Sequence, residues 1–140
     1  MNVRRLLLSS GLVVALAACG SASVFDLTVG DCFDDPPESG EISSVTAVDC
    51  AEPHDNEVYA LFDYDGSGEY PGEGTLSTAA DEGCRDRFDA YVGTPYLESE
   101  VYYTHLTPTE ESWGDGDREI VCVLYIPDEK IEGSLEGTGR

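Results

Sequence analysis

The chain has 140 residues, with 29 Asp and Glu against 7 Lys and Arg, a formal net charge of −22. That balance excludes nucleic acid as a partner, because phosphate binding needs a basic surface. It also excludes electrostatic docking on anionic lipid, where Lys and Arg are required. The charge suits cationic surfaces or divalent ions, and more simply keeps the protein soluble.

Arg4 and Arg5 precede an apolar run, Leu6 to Ala18, diluted only by Ser9, Ser10 and Gly11. Leu16-Ala17-Ala18-Cys19-Gly20 closes it. A basic start, an apolar stretch, small residues and then cysteine is the order of a bacterial lipoprotein signal. The thirteen-residue run is too short for a membrane-spanning helix, which needs about twenty. Cleavage at Ala15 to Ala17 would give an ordinary secreted product, but a cysteine directly after Leu-Ala-Ala is demanded only by lipidation. Val3 before the arginine pair favours the general secretory route over twin-arginine export. The expectation is a signal peptide at 1–18, Cys19 carrying palmitate-type acyl chains, and a tether at 19–23. A folded domain at 24–127 and a polar C-terminal tail at 128–140 follow. Removing 18 residues and two arginines would leave 122 residues at −24.

Val24 to Phe33 reads as extended, with Gly30-Asp31 as a turn. Asp34 to Gly40, holding Pro36 and Pro37, is a loop. Ile42 to Cys50 is a strand, Ala51 to Asn56 a turn round Pro53, and Glu57 to Tyr64 a second strand. Asp65 to Gly74 is a Gly-rich loop. Leu76, Ala80, Cys84 and Phe88 recur at four-residue steps, which predicts a helix to Val92 with Thr75 as N-cap and Gly93 as stop. Val101 to Thr107 is a strand, Thr109 to Asp117 a polar loop, and Arg118 to Ile126 the most apolar strand. Asp128 to Arg140 is polar, with an edge strand around Ile131 and then a frayed end. This order predicts an α+β domain, one main helix packed on a mostly antiparallel sheet.

With Cys19 lipidated, Cys32, Cys50, Cys84 and Cys122 remain. An even number in an exported small domain reads as two disulfides, with three possible pairings. Cys84 lies on the buried helix stripe. Cys122 shares a strand face with Ile120, Leu124 and Ile126. A helix on that face brings the two sulfurs into one layer, so Cys84–Cys122 is expected, leaving Cys32–Cys50. No C-x-x-C spacing exists, which argues against zinc.

Val29-Gly30-Asp31-Cys32-Phe33 and the run Val48-Asp49-Cys50-Ala51-Glu52-Pro53-His54-Asp55-Asn56-Glu57-Val58 resemble the septum-formation domain of bacterial envelope proteins. So do Tyr70-Pro71-Gly72, Cys84, Phe88, Tyr91-Val92-Gly93, Pro108-Thr109, Trp113 and Gly116-Asp117-Arg118. The resemblance runs from about Leu27 to Tyr125. It implies an extracytoplasmic module linked to septum formation, with no enzyme activity and no cofactor.

His54 follows Pro53, with Glu57 three residues on, and could carry protons or half a metal site. The plainer reading is that its hydrogen bonds hold the turn beside a disulfide. His105 reads as a partly buried strand residue. Asp63, Asp65, Ser67 and Gly68 fit the start of a calcium loop, but position twelve is Gly74 where a bidentate Glu belongs. Trp113 either stacks on a ligand or folds back to cap the core. Asp117 either joins Asp115 at a cation or pairs with Arg118. The candidate binding surface is therefore Trp113, His54, Glu57 and Asp117, with no catalytic residue, metal or cofactor expected.

The function expected is a non-catalytic, lipid-anchored module on the extracytoplasmic face of the cell membrane. It binds or scaffolds an envelope protein or cell-wall polymer. The alternatives are a small cell-wall-acting enzyme using carboxylates and a divalent-cation-binding surface protein.

Overall fold

The computed structural model describes residues 21–36 and 42–140. The expected signal peptide, Cys19 and most of the expected Asp34–Gly40 loop lie outside them. One antiparallel sheet holds β1 (Ser21–Ser23), β2 (Cys32–Asp34), β3 (Ser44–Val48), β4 (Asn56–Asp63), β5 (Tyr102–Leu106) and β6 (Glu119–Tyr125), in the order β1-β3-β2-β4-β6-β5. The main helix is α1 (Glu73–Val92), and a short α2 (Glu110–Gly114) precedes β6. This is the α+β architecture expected from the order of elements.

β6 is apolar without alternation because both of its faces are covered. Ile120, Cys122 and Leu124 meet the α1 side, where Ala80, Cys84, Phe88 and Val92 descend from the helix. Val121 and Val123 meet the other side, with Leu27, Phe33, Val45 and Val58. Cys84 is joined to Cys122 through the first layer, and Cys32 to Cys50 beside the start of β4.

The register of β4 on β6 slips between Val58 and Ala60. Two β4 residues, Tyr59 and Ala60, thus meet the helix side in succession, while Val58 and Leu61 turn to the other layer. The extra residue is a β-bulge. It lets the Tyr59 hydroxyl donate to the Cys84 carbonyl at 2.7 Å, beside the disulfide.

Several local expectations change. The extended segment expected over Val24–Phe33 is a 3₁₀ turn at Val24–Asp26 followed only later by β2. Helix α1 begins at Glu73, not after Thr75: the Gly72 carbonyl accepts from the N–H of Thr75 and of Leu76, and no side chain caps it. Gly72 has φ +91°, which a side chain would resist. The expected Thr109–Asp117 loop contains α2, because Thr109 and Ser112 form a reciprocal capping box.

The C-terminal segment is not frayed. Ile131 and Leu135 are 1% exposed and belong to the α1-side core. Ile131 pairs with His54 through two backbone hydrogen bonds, 3.0 and 2.8 Å. The N–H groups of Gly137 and Gly139 donate to the carbonyls of Tyr91 and Val92, each at 2.8 Å. Residue 127 is therefore no boundary of the hydrophobic core.

Candidate functional site

The turn between β3 and β4 is fixed from within. The Asp49 carboxylate accepts from the Ala51 N–H at 2.9 Å, and the Asp49 carbonyl from the Glu52 N–H at 2.8 Å. Pro53 then directs His54 inward, where it is fully buried. Its Nδ1 lies 2.8 Å from the Glu52 carbonyl. A carbonyl only accepts, so Nδ1 carries the proton and donates. Nε2 is buried and has no hydrogen-bond partner among the described residues.

Glu57 enters the same space from β4, also fully buried. Its Oε1 accepts from the Tyr91 hydroxyl at 2.7 Å and from the Ser134 hydroxyl at 2.6 Å; its Oε2 accepts from the Leu135 N–H at 2.7 Å. One carboxylate thus ties strand, helix and C-terminal segment together. Burial raises the Tyr91 hydroxyl well above the ordinary tyrosine range, and the Glu57 carboxylate it donates to adds to that. A sulfur of Cys32, a ring nitrogen of His54 and a carboxylate oxygen of Glu57 all lie within 4.8 Å of one another.

Beside this buried cluster runs an open groove of about 700 Å³, lined by residues including Asp35, Asp55, Thr104, Tyr125, Asp128 and Lys130. Pro127 and Asp128 form its turn, closed by the Glu129 N–H on the Ile126 carbonyl at 3.3 Å. Asp128 sits at φ +60°, a conformation aspartate tolerates in turns. Lys130 bridges Asp34 at 2.7 Å and Asp55 at 2.8 Å. Partial burial would raise the Asp55 carboxyl, but the hydrogen bonds from Lys130 and the Asp35 N–H, with the Lys130 charge, outweigh it and hold the group below its ordinary range.

The four sequence candidates do not form one surface. His54 and Glu57 meet in the interior. Trp113 is 5% exposed and packs between Tyr64 and Tyr70, with its Nε1 donating to the Gly68 carbonyl at 2.9 Å. It caps the loops and is not an exposed stacking platform. Asp117 braces the same corner, accepting from the Ser112 hydroxyl at 2.8 Å and the Glu119 N–H at 3.0 Å. Arg118 donates to the carbonyls of Trp113 and Asp117, not to the Asp117 carboxylate. His105 is partly buried, its Nε2 3.4 Å from Asp81. Among the described residues, the acids at Asp63 and Asp65 do not converge as metal donors.

The groove and the partners of Glu57 escaped the sequence reading. The one available signal was a carboxylate, Glu57, at an inward position of an otherwise apolar strand. Nothing local to Tyr91, Lys130, Ser134 or Leu135 marked them.

Fold and site together define a disulfide-bonded α+β domain with a polar groove beside a buried His–Glu cluster. The family model described as septum formation matches residues 28–140, and the chain belongs to that family. Comparisons with curated proteins and with solved structures gave no match. Membership links the protein to septum formation, and the match includes the C-terminal segment that closes the core. No helix among the described residues is long and apolar enough to cross a membrane.

Proposed function

We propose that this protein is a non-catalytic module of the septum-formation family, held by acyl chains on Cys19 at the extracytoplasmic face of the membrane. There it binds an envelope protein or cell-wall polymer through the groove between Asp55 and Tyr125. The observation that carries the reading is the family match over 28–140, on a chain in which a basic pair, an apolar run and small residues precede Cys19. Two disulfides suit an oxidising compartment. His54, Glu57 and Trp113 are buried, whereas the groove is a polar concavity open to a partner.

The test has two arms. Mass analysis of the native product should find an N-terminus at Cys19 with acyl mass, and Cys19→Ala should leave the membrane fraction. A product starting at Met1, or lacking acyl mass, ends the anchoring claim. Photo-crosslinkers at Thr104 and Tyr125 should capture the partner in cells, while one at Asp86 on the exposed side of α1 should not. Equal capture from both faces removes the groove from the proposal.

A further inference from the structure

The buried Nε2 of His54 has no partner among the described residues. A polar atom left so is rare and calls for an explanation, an absent ion among them. Its surroundings are those of a metal ligand. Nδ1–H donates to the Glu52 carbonyl, the arrangement that fixes a ligating histidine with its other nitrogen free. The Glu57 carboxylate is held in place by three donors. The Cys32 sulfur completes the trio: it, a ring nitrogen of His54 and a Glu57 carboxylate oxygen all lie within 4.8 Å of one another. A point no more than about 2.8 Å from each therefore exists, since 4.8/√3 bounds that distance. Shifts of under about 1 Å reach zinc bond lengths of about 2.0–2.3 Å.

In the oxidised protein Cys32 is bonded to Cys50 and offers no thiolate. We infer that reduction of Cys32–Cys50 opens a site for a thiophilic divalent ion such as zinc, with the two cysteine sulfurs, His54 Nε2 and Glu57 as ligands. A protein or small-molecule dithiol supplies two electrons and two protons. The S–S bond breaks, two thiols form, and the dithiol closes to its own disulfide. Metal entry then replaces the two thiol protons, which pass to solvent, with two metal–sulfur bonds.

Reduction is directed to this bridge. Cys50 lies half-buried in the surface turn, whereas Cys84 and Cys122 are both fully buried. The lack of a C-x-x-C motif does not weigh against the site. Its ligands come from β2, β4 and the turn between β3 and β4, brought together by sheet pairing.

Cobalt(II) alone is the probe. The protein is treated with a phosphine until alkylation marks Cys32 and Cys50 but neither Cys84 nor Cys122. Reduced protein should then take up one cobalt per chain, with thiolate charge-transfer and intense tetrahedral d–d bands. Oxidised protein should show neither. His54→Gln, reduced in the same way, should bind at least about tenfold more weakly. Cys50→Ser keeps Cys32 as a thiol with no reductant, and should show the same bands with one thiolate. It provides the reading if His54→Gln does not fold. Absence of tetrahedral bands in reduced wild type and in Cys50→Ser, or an unchanged affinity in folded His54→Gln, overturns the proposal.

Discussion

The guanidinium of Arg118 lies 3.5 Å from the centroid of the Trp113 ring, and the same side chain donates to the Trp113 carbonyl at 2.9 Å. Arg118 opens β6 from the loop side, so this contact ties α2 to the sheet. A cation over an indole face contributes about 0.5–2 kcal/mol, more as water is excluded. Arg118→Met should lower stability by about 1–2 kcal/mol. Trp113 is the sole tryptophan, so its fluorescence should shift to the red as the ring gains water. Urea unfolding followed at that wavelength checks both; an unchanged midpoint and spectrum would show the contact to be idle.

Glu57 secures the C-terminal segment through Ser134 and Leu135. Hydrogen bonds to a charged group contribute about 1.5–3 kcal/mol each, and stranded buried donors add cost. Glu57→Ala should therefore lose about 3 kcal/mol or more, with Glu57→Gln less affected. Residues after Ser134 should also become open to carboxypeptidase in the Ala variant. A tail as resistant as wild type would mean that Ile131 and Leu135 hold it without the carboxylate.

Gly83 lies within α1, where Ala would ordinarily help by about 1 kcal/mol. Here a Cβ would come within 2.2 Å of the Phe62 ring, which Arg87 covers from above at 4.3 Å. Gly83→Ala should therefore destabilise by about 1–3 kcal/mol, as overpacking does. Phe62→Leu combined with Gly83→Ala should recover part of the loss in a double-mutant cycle. Stabilisation by Gly83→Ala alone would show that the ring moves aside freely.

Two carboxyl groups pull the acid response in opposite directions. Asp55 is held below its ordinary value, so its stabilising contribution is complete above the ordinary carboxylate range and is lost as pH falls through the folded value. Lys130→Met should raise the Asp55 midpoint and move acid unfolding to higher pH. Glu119 is raised, by burial first and then by Asp63 and Asp117; Asp63 stands directly opposite it across β4 and β6. Its cost is full above the raised value and disappears as pH falls below the ordinary one. Glu119→Gln should stabilise at neutral pH by about 0.2–1 kcal/mol, the range for opposed like charges, and do nothing near pH 3. NMR titration of both carboxyls with pH-dependent unfolding reads each shift; a Glu119→Gln gain that persists in acid would point to packing instead.

Periodicity and cysteine count determined much of this protein unaided. Four-residue steps from Leu76 to Phe88 specify one helix stripe, and the apolar run at 120–124 specifies a strand with a face to bury. A stripe and a face that must meet bring Cys84 to Cys122, so even the bridge was legible. Hydrophobic pattern reports what each element hides, and that information is local. The tertiary structure decided what depends on partners far along the chain. The bulge at Tyr59 arises from register against β6. The donors to Glu57 come from residues 34, 77 and 78 positions away. Trp113 is buried because Gly68, Tyr64 and Tyr70 fold over it, which no property of its own polar surroundings announces. The same holds for His54: its neighbours in sequence set a turn, and only the pairing of β2, β4 and Ile131 encloses its ring near Glu57 and Cys32.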